Sequence, residues 1–143
     1  GVLFGCEDYL AEIEGSHLDD FSSLTYARSR IANAAKGAGI VPIDTPFIRV
    51  KELDVLEDFC KVGRALGMDG MLVLSPGQVG VANDCYIPAK EELLRAQRML
   101  DAAENSKDGE RGVVILDSGE FVSPPTLKWA RKIIIKNDKI LNW

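Results

Sequence analysis

Val2-Leu3-Phe4-Gly5-Cys6-Glu7-Asp8-Tyr9 is the stretch that decides how this chain folds. Three apolar residues run into a glycine and then into paired carboxylates. A buried parallel strand ends this way at the functional face of an α/β protein. The strand stops, the backbone turns at Gly5, and acidic side chains reach the rim. Hard cations such as Mg²⁺ are usually held by one or two carboxylates with waters and substrate oxygens, so Glu7 and Asp8 read as a candidate cation site. The chain opens inside this strand at Gly1, without an initiator Met, and so reads as a sequence with a part missing upstream.

The same alternation continues downstream. Residues 14–22 are polar and read as a loop, and Ser22 or Ser23 offers a hydroxyl to cap the next helix. Leu24, Ala27, Ile31, Ala34, Ala35 and Ala38 share one helical face, and Gly39 closes that helix. A short strand at 40–43 ends at Asp44-Thr45-Pro46, a helix follows over 53–66, and Gly67 closes it. A third strand at 71–74 ends at Ser75-Pro76-Gly77-Gln78, and the next helix is predicted over 88–104 with Leu93, Ala96, Leu100 and Ala103 inward. Beyond it come a polar turn at 105–112, a hairpin of 113–116 and 120–122 around Asp117-Ser118-Gly119, and a last helix from Pro124 to about Ile135.

Three strands joined by single helices should lie parallel. Asp8, Asp44 and Ser75 then share the edge that carries the site in both barrels and open α/β sheets. Three units cannot close an eight-stranded barrel, which needs ~250 residues. The residues alone leave two architectures, a small open sheet or the last part of a larger barrel.

Composition narrows the function classes. Lys and Arg number 17 against 22 Asp and Glu, a formal charge of −5, and no basic patch marks a nucleic-acid partner. No apolar run approaches the roughly 20 residues of a membrane span. Cys6, Cys60 and Cys85 lack metal-site or disulfide spacing and read as reduced thiols of a cytoplasmic compartment. His17 is the only histidine, so a Ser/His/Asp triad or a His-rich metal site has little to draw on.

An ordered set of segments settles the architecture by likeness. Gly5-Cys6-Glu7-Asp8, Tyr26-Ala27-Arg28-Ser29-Arg30, residues 39–45, Arg64-Ala65-Leu66-Gly67-Met68-Asp69-Gly70, Ser75-Pro76-Gly77-Gln78 and residues 119–125 together resemble the citrate lyase β-subunit family. That family is part of the wider HpcH/HpaI aldolase superfamily of malyl-CoA and citramalyl-CoA lyases. The resemblance implies the C-terminal part of a (β/α)8 TIM-type barrel. Residues 1–104 would form its last three strand–helix units, and 105–143 a C-terminal extension whose hairpin and helix make oligomer contacts. It implies Mg²⁺-dependent cleavage of a citryl, malyl or citramalyl thioester of CoA or an acyl carrier, giving an acetyl-thioester and a 2-oxo acid. Asp8 matches the second metal ligand of the family, and the other, a Glu, falls before this chain, as does a substrate-binding Arg. A homo-oligomer, trimeric or hexameric, and a cytoplasmic or mitochondrial-matrix location follow from the same likeness.

Glu7 reads as a salt-bridging neighbour of the site, and the backbone amides of Glu7 and Asp8 suit a substrate carboxylate. Arg28 and Arg30 are candidates for a CoA phosphate, with a solvated helix face as the plain alternative. Asp44 reads as a residue that positions loops. Two positions depart from the family. Ser75 stands where many members have His, and Ser123 where many have an Asp that handles a proton in a neighbouring subunit's site. Serine has no acid–base group titrating near neutrality, although it caps a helix as Asp does. Ser75 and Ser123 therefore open a second reading, a thioesterase or thioester-binding homologue without lyase chemistry, and the front half expected upstream opens a third, an assembly subunit of a lyase complex.

Overall fold

The structure, a computed structural model, describes residues 1–106 and 112–141, with side chains through 138. The chain divides into two compact units, Gly1–Tyr86 and Ile87–Trp143. In the first, β1 (Val2–Leu3), β2 (Pro42–Asp44) and β3 (Gly70–Met71) form one parallel sheet in that order. Val2 stands opposite Pro42, and Ile43 opposite Gly70. The expected parallel arrangement is what is found, with each strand shorter than its apolar run.

Between the strands lie α1 (Cys6–Glu12), α2 (Ser22–Gly37) and α3 (Leu53–Ala65), and α4 (Pro76–Tyr86) follows β3. The rim expected at Gly5-Cys6-Glu7-Asp8 is not a loop but the entry to α1. A helix this short has little stability of its own, and the buried side chains of Cys6 and Leu10, one turn apart, hold it down. In α2 the buried side chains are Leu24, Ala27, Arg28, Ala32 and Ala35, whereas Ala34 and Ala38 are exposed. Neither serine supplies the expected cap. Asp20 Oδ1 accepts the Ser22 N–H at 3.0 Å instead. Gly39 at φ +70° and Gly67 at φ +102° close α2 and α3 in the left-handed conformation that glycine tolerates.

The helix α4 has no counterpart in the sequence reading. Gln78, Ala82 and Tyr86 form its buried stripe at intervals of one turn, and Pro76 fits its first position. Gly77 and Gly80 weaken its intrinsic propensity and hide it among turn residues. Packing on α3, rather than propensity, makes it a helix.

One polar group sits in the middle of this core. Arg28, fully buried, is paired with the equally buried Asp44 at the end of β2. Arg28 Nε donates to Oδ1 and Oδ2 of Asp44 at 3.0 and 3.1 Å, and Nη2 reaches Oδ2 and the Phe59 carbonyl. The guanidinium lies 3.9 Å from the centre of the Phe59 ring, and the Tyr86 hydroxyl donates to Asp44 Oδ2 at 3.4 Å. Helix α3 comes so close to this cluster that a Cβ on Gly63 would fall under 3.0 Å from Asp44 Oδ2, Arg28 Nη2 and the Tyr86 hydroxyl.

In the second unit α5 (Lys90–Glu104) packs on α6 (Pro124–Leu141) through Ala96, Met99, Ala103, Leu127 and Ala130. The compact units divide between Tyr86 and Ile87, and α5 shares its core with α6. The hairpin is present as β4 (Val114–Ile115) antiparallel to β5 (Phe121–Val122), with Gly119 at φ +83° in its turn. The last helix runs past the expected Ile135 to Leu141. Most of the polar turn expected at 105–112, and Trp143, lie outside the described residues. Among the described residues no helix is long and apolar enough to cross a membrane.

Gly63→Ala should cost about 1–3 kcal/mol or more, as overpacking does, because the neighbours are charged and hydrogen-bonded rather than able to slide. Arg28→Met, which leaves Asp44 buried and unpaired, should cost about 3–5 kcal/mol. Urea unfolding of each variant beside the parent measures both, and an unchanged midpoint for Gly63→Ala contradicts the close approach.

Candidate functional site

The residues after β1 are held by the end of β2. Thr45 is fully buried, and its hydroxyl oxygen accepts the Cys6 N–H at 3.0 Å. Thr45's own N–H donates to Asp44 Oδ1 at 2.9 Å. The first turn of α1 is thus tied through Thr45 and Asp44 to the Arg28 pair. A β-strand end and a helix start are fixed together by one chain of polar contacts.

Asp8 sits in that first turn and is exposed. A Cβ on Gly5 would lie 3.2 Å from Asp8 Oδ2, so the carboxylate folds back toward Gly5 at the start of α1. Among the described residues no hydrogen bond or ion pair engages it. An unengaged, hard oxygen donor just after a strand fits the chemistry of Mg²⁺, and Asp8 could hold such an ion with one carboxylate.

Glu7 is also exposed, and His17 Nε2 lies 2.6 Å from Glu7 Oε1, a hydrogen-bond contact that is an ion pair only with a protonated imidazole. The Cys6 thiol donates to the same oxygen at 3.5 Å. Burial, with a contribution from the Glu7 charge, pushes the Cys6 thiol up. Cys60 is raised to about 12, first by burial and then by neighbouring Cys85, whose own thiol is raised by burial. None of the three is an activated thiolate.

The other sequence candidates separate. Arg28, expected to meet a CoA phosphate or to lie on a solvated helix face, does neither. It has no exposed surface and serves Asp44. The one-turn spacing from Leu24 put it on the inner face, where a guanidinium survives only with a carboxylate and a π-face to meet it. Arg30 is exposed on α2. Asp44 is buried and positions Thr45. Ser75 is half-buried at the start of α4. Ser123 is half-buried just before α6, but the local polar contacts run through Thr126. The Ser123 N–H donates to Thr126 Oγ1 at 2.7 Å, and the Thr126 hydroxyl donates to the Ser123 carbonyl at 2.8 Å.

Three residues of the site were not singled out from the sequence. Gln78 is fully buried and joins two loops at the strand ends, its Oε1 accepting the Leu74 N–H at 2.8 Å and its Nε2 donating to the Phe47 carbonyl at 2.8 Å. Thr45 is the second. The third is Arg49, beside a cavity of about 110 Å³ lined by Cys6, His17, Phe21, Phe47 and Phe59. The Arg49 guanidinium covers the rings of Phe21 and Phe47 at 4.9 and 5.4 Å and meets Glu52 at 3.3 Å. No sequence signal distinguishes Arg49 from other loop arginines, because the three phenylalanines around it come from separate segments.

Comparison with known proteins fits this geometry. The profile of the family described as HpcH/HpaI aldolase/citrate lyase matches residues 1–76, just over half of the chain. The chain is 29% identical to the citrate lyase subunit beta of Leuconostoc mesenteroides subsp. cremoris, over 94% of its own length and 44% of that protein's. It is 27% identical to the (3S)-malyl-CoA thioesterase of Cereibacter sphaeroides over 98% of its own length and 49% of the relative's. The crystal structure of Mycobacterium tuberculosis CitE in complex with magnesium, acetoacetate and coenzyme A superposes with a TM-score of 0.80 at 26% identity. That match covers 96% of this chain and 52% of CitE. The chain therefore spans about half the length of the relatives it matches.

Two outcomes follow from the geometry. Thr45→Val leaves the buried Cys6 N–H without an acceptor, which costs about 1–3 kcal/mol, and Thr45→Ser should restore most of it in thermal unfolding. Because all three thiols are raised, iodoacetamide should label the native protein slowly at pH 7 and faster as the pH rises, with Cys60 last, as peptide mass spectrometry reads out.

Proposed function

The chain belongs to the HpcH/HpaI aldolase/citrate lyase family, and from that premise we propose that it forms part of a Mg²⁺-dependent carbon–carbon lyase. Its substrate is an acyl-CoA or acyl-carrier thioester of the citryl, malyl or citramalyl type, released as an acetyl-thioester and a 2-oxo acid. The observation that carries this reading is Asp8, an unengaged carboxylate folded back toward Gly5 in a first helical turn fixed by Thr45. The likeness to a protein crystallised with magnesium, acetoacetate and coenzyme A supports it.

In this reading Asp8 contributes one carboxylate to the cation. The chemistry Mg²⁺ supplies there is polarisation of the 2-oxo acid carbonyl and stabilisation of charge on its oxygen. The chain's own residues do the rest of the work on this side. Thr45 and Asp44 hold α1 so that the Asp8 carboxylate does not need to reorganise. Phe21, Phe47 and Phe59 keep the adjoining cavity apolar, which favours the thioester's uncharged arm and excludes water. Arg49 at the cavity and Arg30 on α2, rather than Arg28, are the guanidinium groups placed to meet a phosphate.

The three parallel strands are the last three of a (β/α)8 barrel, with the partner Glu ligand and a substrate-binding Arg on the preceding strands. The match of nearly all of this chain to half of CitE supports that placement. The C-terminal unit makes the contacts of a homo-oligomer, trimer or hexamer, and its hairpin exposes Ile115 and Phe121 for them. The protein works in the cytoplasm or, alternatively, the mitochondrial matrix.

A second reading rests on Ser123, which stands where relatives of the lyase type have a proton-handling Asp. Without that carboxylate the protein hydrolyses a malyl-type thioester and leaves the carbon–carbon bond intact, and the likeness to a malyl-CoA thioesterase supports this. One assay separates the two. The full-length protein is given malyl-CoA, citramalyl-CoA and a citryl thioester, with and without Mg²⁺, and the 2-oxo acid and free thiol are measured. A lyase releases the 2-oxo acid only with Mg²⁺, and Asp8→Asn lowers turnover on the order of 10²-fold. A thioesterase releases thiol without 2-oxo acid, and Ser123→Asp then raises cleavage by about 10²-fold or more. Neither product from folded protein overturns both and leaves the assembly subunit.

A further inference from the structure

We propose that Cys6, Glu7 and His17 form a site for a thiophilic divalent cation of the Zn²⁺ class, separate from the Asp8 position. Cys6 Sγ, Glu7 Oε1 and His17 Nε2 all lie within 4.8 Å of one another. In tetrahedral zinc coordination, Zn–S of about 2.3 Å and Zn–N or Zn–O of about 2.0–2.2 Å place neighbouring ligand atoms roughly 3.3–3.6 Å apart. The observed Sγ–Oε1 distance is 3.5 Å, and the 2.6 Å between Oε1 and Nε2 opens by rotating the exposed Glu7 side chain. Cys6 is the fixed member, buried and held by its N–H on Thr45.

The chain's only histidine reaches this place through one turn. Glu14 at φ +54° and the Gly15 N–H on the Leu10 carbonyl at 2.8 Å reverse the chain after α1 and return His17 to the helix start. Donor chemistry then divides two adjacent positions. Sulfur, imidazole and one carboxylate suit Zn²⁺, whereas the all-oxygen Asp8 suits Mg²⁺. Three protein ligands leave a fourth position open to water or a small ligand. Cys6 and His17 both line the 110 Å³ cavity, so that position has space to open into. Binding replaces the thiol proton, which leaves to solvent.

The site does not rest on the lyase reading, and its test is a spectrum rather than an activity. Metal-free protein is titrated with Co²⁺ as the probe. A thiolate-to-cobalt charge-transfer band should appear at one equivalent, be displaced by Zn²⁺ and survive excess Mg²⁺. Cys6→Ala should abolish the band, and His17→Ala, an exposed change outside the core, should weaken Co²⁺ binding roughly tenfold or more. Asp8→Asn should leave the band in place. Far-UV circular dichroism confirms that each variant is folded. No band, a band that survives Cys6→Ala, or one indifferent to His17→Ala overturns the site. Loss of the band in Asp8→Asn overturns its separateness.

Discussion

The buried pair of Arg28 and Asp44 is the constraint on which the first unit depends. Two opposite charges have left water entirely, and the attraction between them roughly offsets a desolvation cost of several kcal/mol per ion. Such a pair adds little net stability over a well-packed apolar pair. Its consequence is positional. The guanidinium meets the carboxylate only if α2 lies against β2 in one register; it also donates to the Phe59 carbonyl of α3, while the carboxylate accepts from the Tyr86 hydroxyl of α4. Burial and the Asp44 charge raise Tyr86 well above the usual phenol range, so it stays a neutral donor to that carboxylate.

From this pair the order passes outward to the rim. Asp44 accepts the Thr45 N–H, Thr45 accepts the Cys6 N–H, and Cys6 opens the helix that carries Glu7 and Asp8. Gln78 adds a second tie, from the loop after β3 to the loop after β2. The carboxylates at the rim are therefore exposed side chains on a backbone that is not free to move. That combination suits a metal or a substrate, because ordering the ligands has already been met by the fold. The same rigidity makes Gly63 indispensable, since no side chain fits between α3 and the charged cluster.

Much of this was legible in the residues. The parallel strands, the stops at Gly39 and Gly67, the hairpin around Asp117-Ser118-Gly119 and Asp8 at a strand end all follow from local chemistry, and each is present. Other features were hidden for reasons that can be named. Helix α4 was masked by Gly77 and Gly80, which lower propensity without preventing a helix that packs well. The division at Tyr86 was masked because α5 follows the barrel-like rhythm in sequence and yet shares its core with α6.

Arg28 shows the limit most clearly. Its spacing from Leu24 and Ala27 already placed it on the inner face of α2, but charge argued for solvent or a phosphate. Whether an arginine is a ligand-binding group or a buried strut depends on what stands opposite, and Asp44 is 16 residues away on another element. The same holds for His17 beside Cys6 and Glu7, and for Phe21 and Phe47 under Arg49. The sequence by itself determined the alternation of elements, the turns and the family, because these depend on neighbours along the chain and on ordered motifs. The tertiary structure alone decided which polar side chains are paired, which are free and which thiol meets an imidazole, because burial and long-range contact set the energy of a charge.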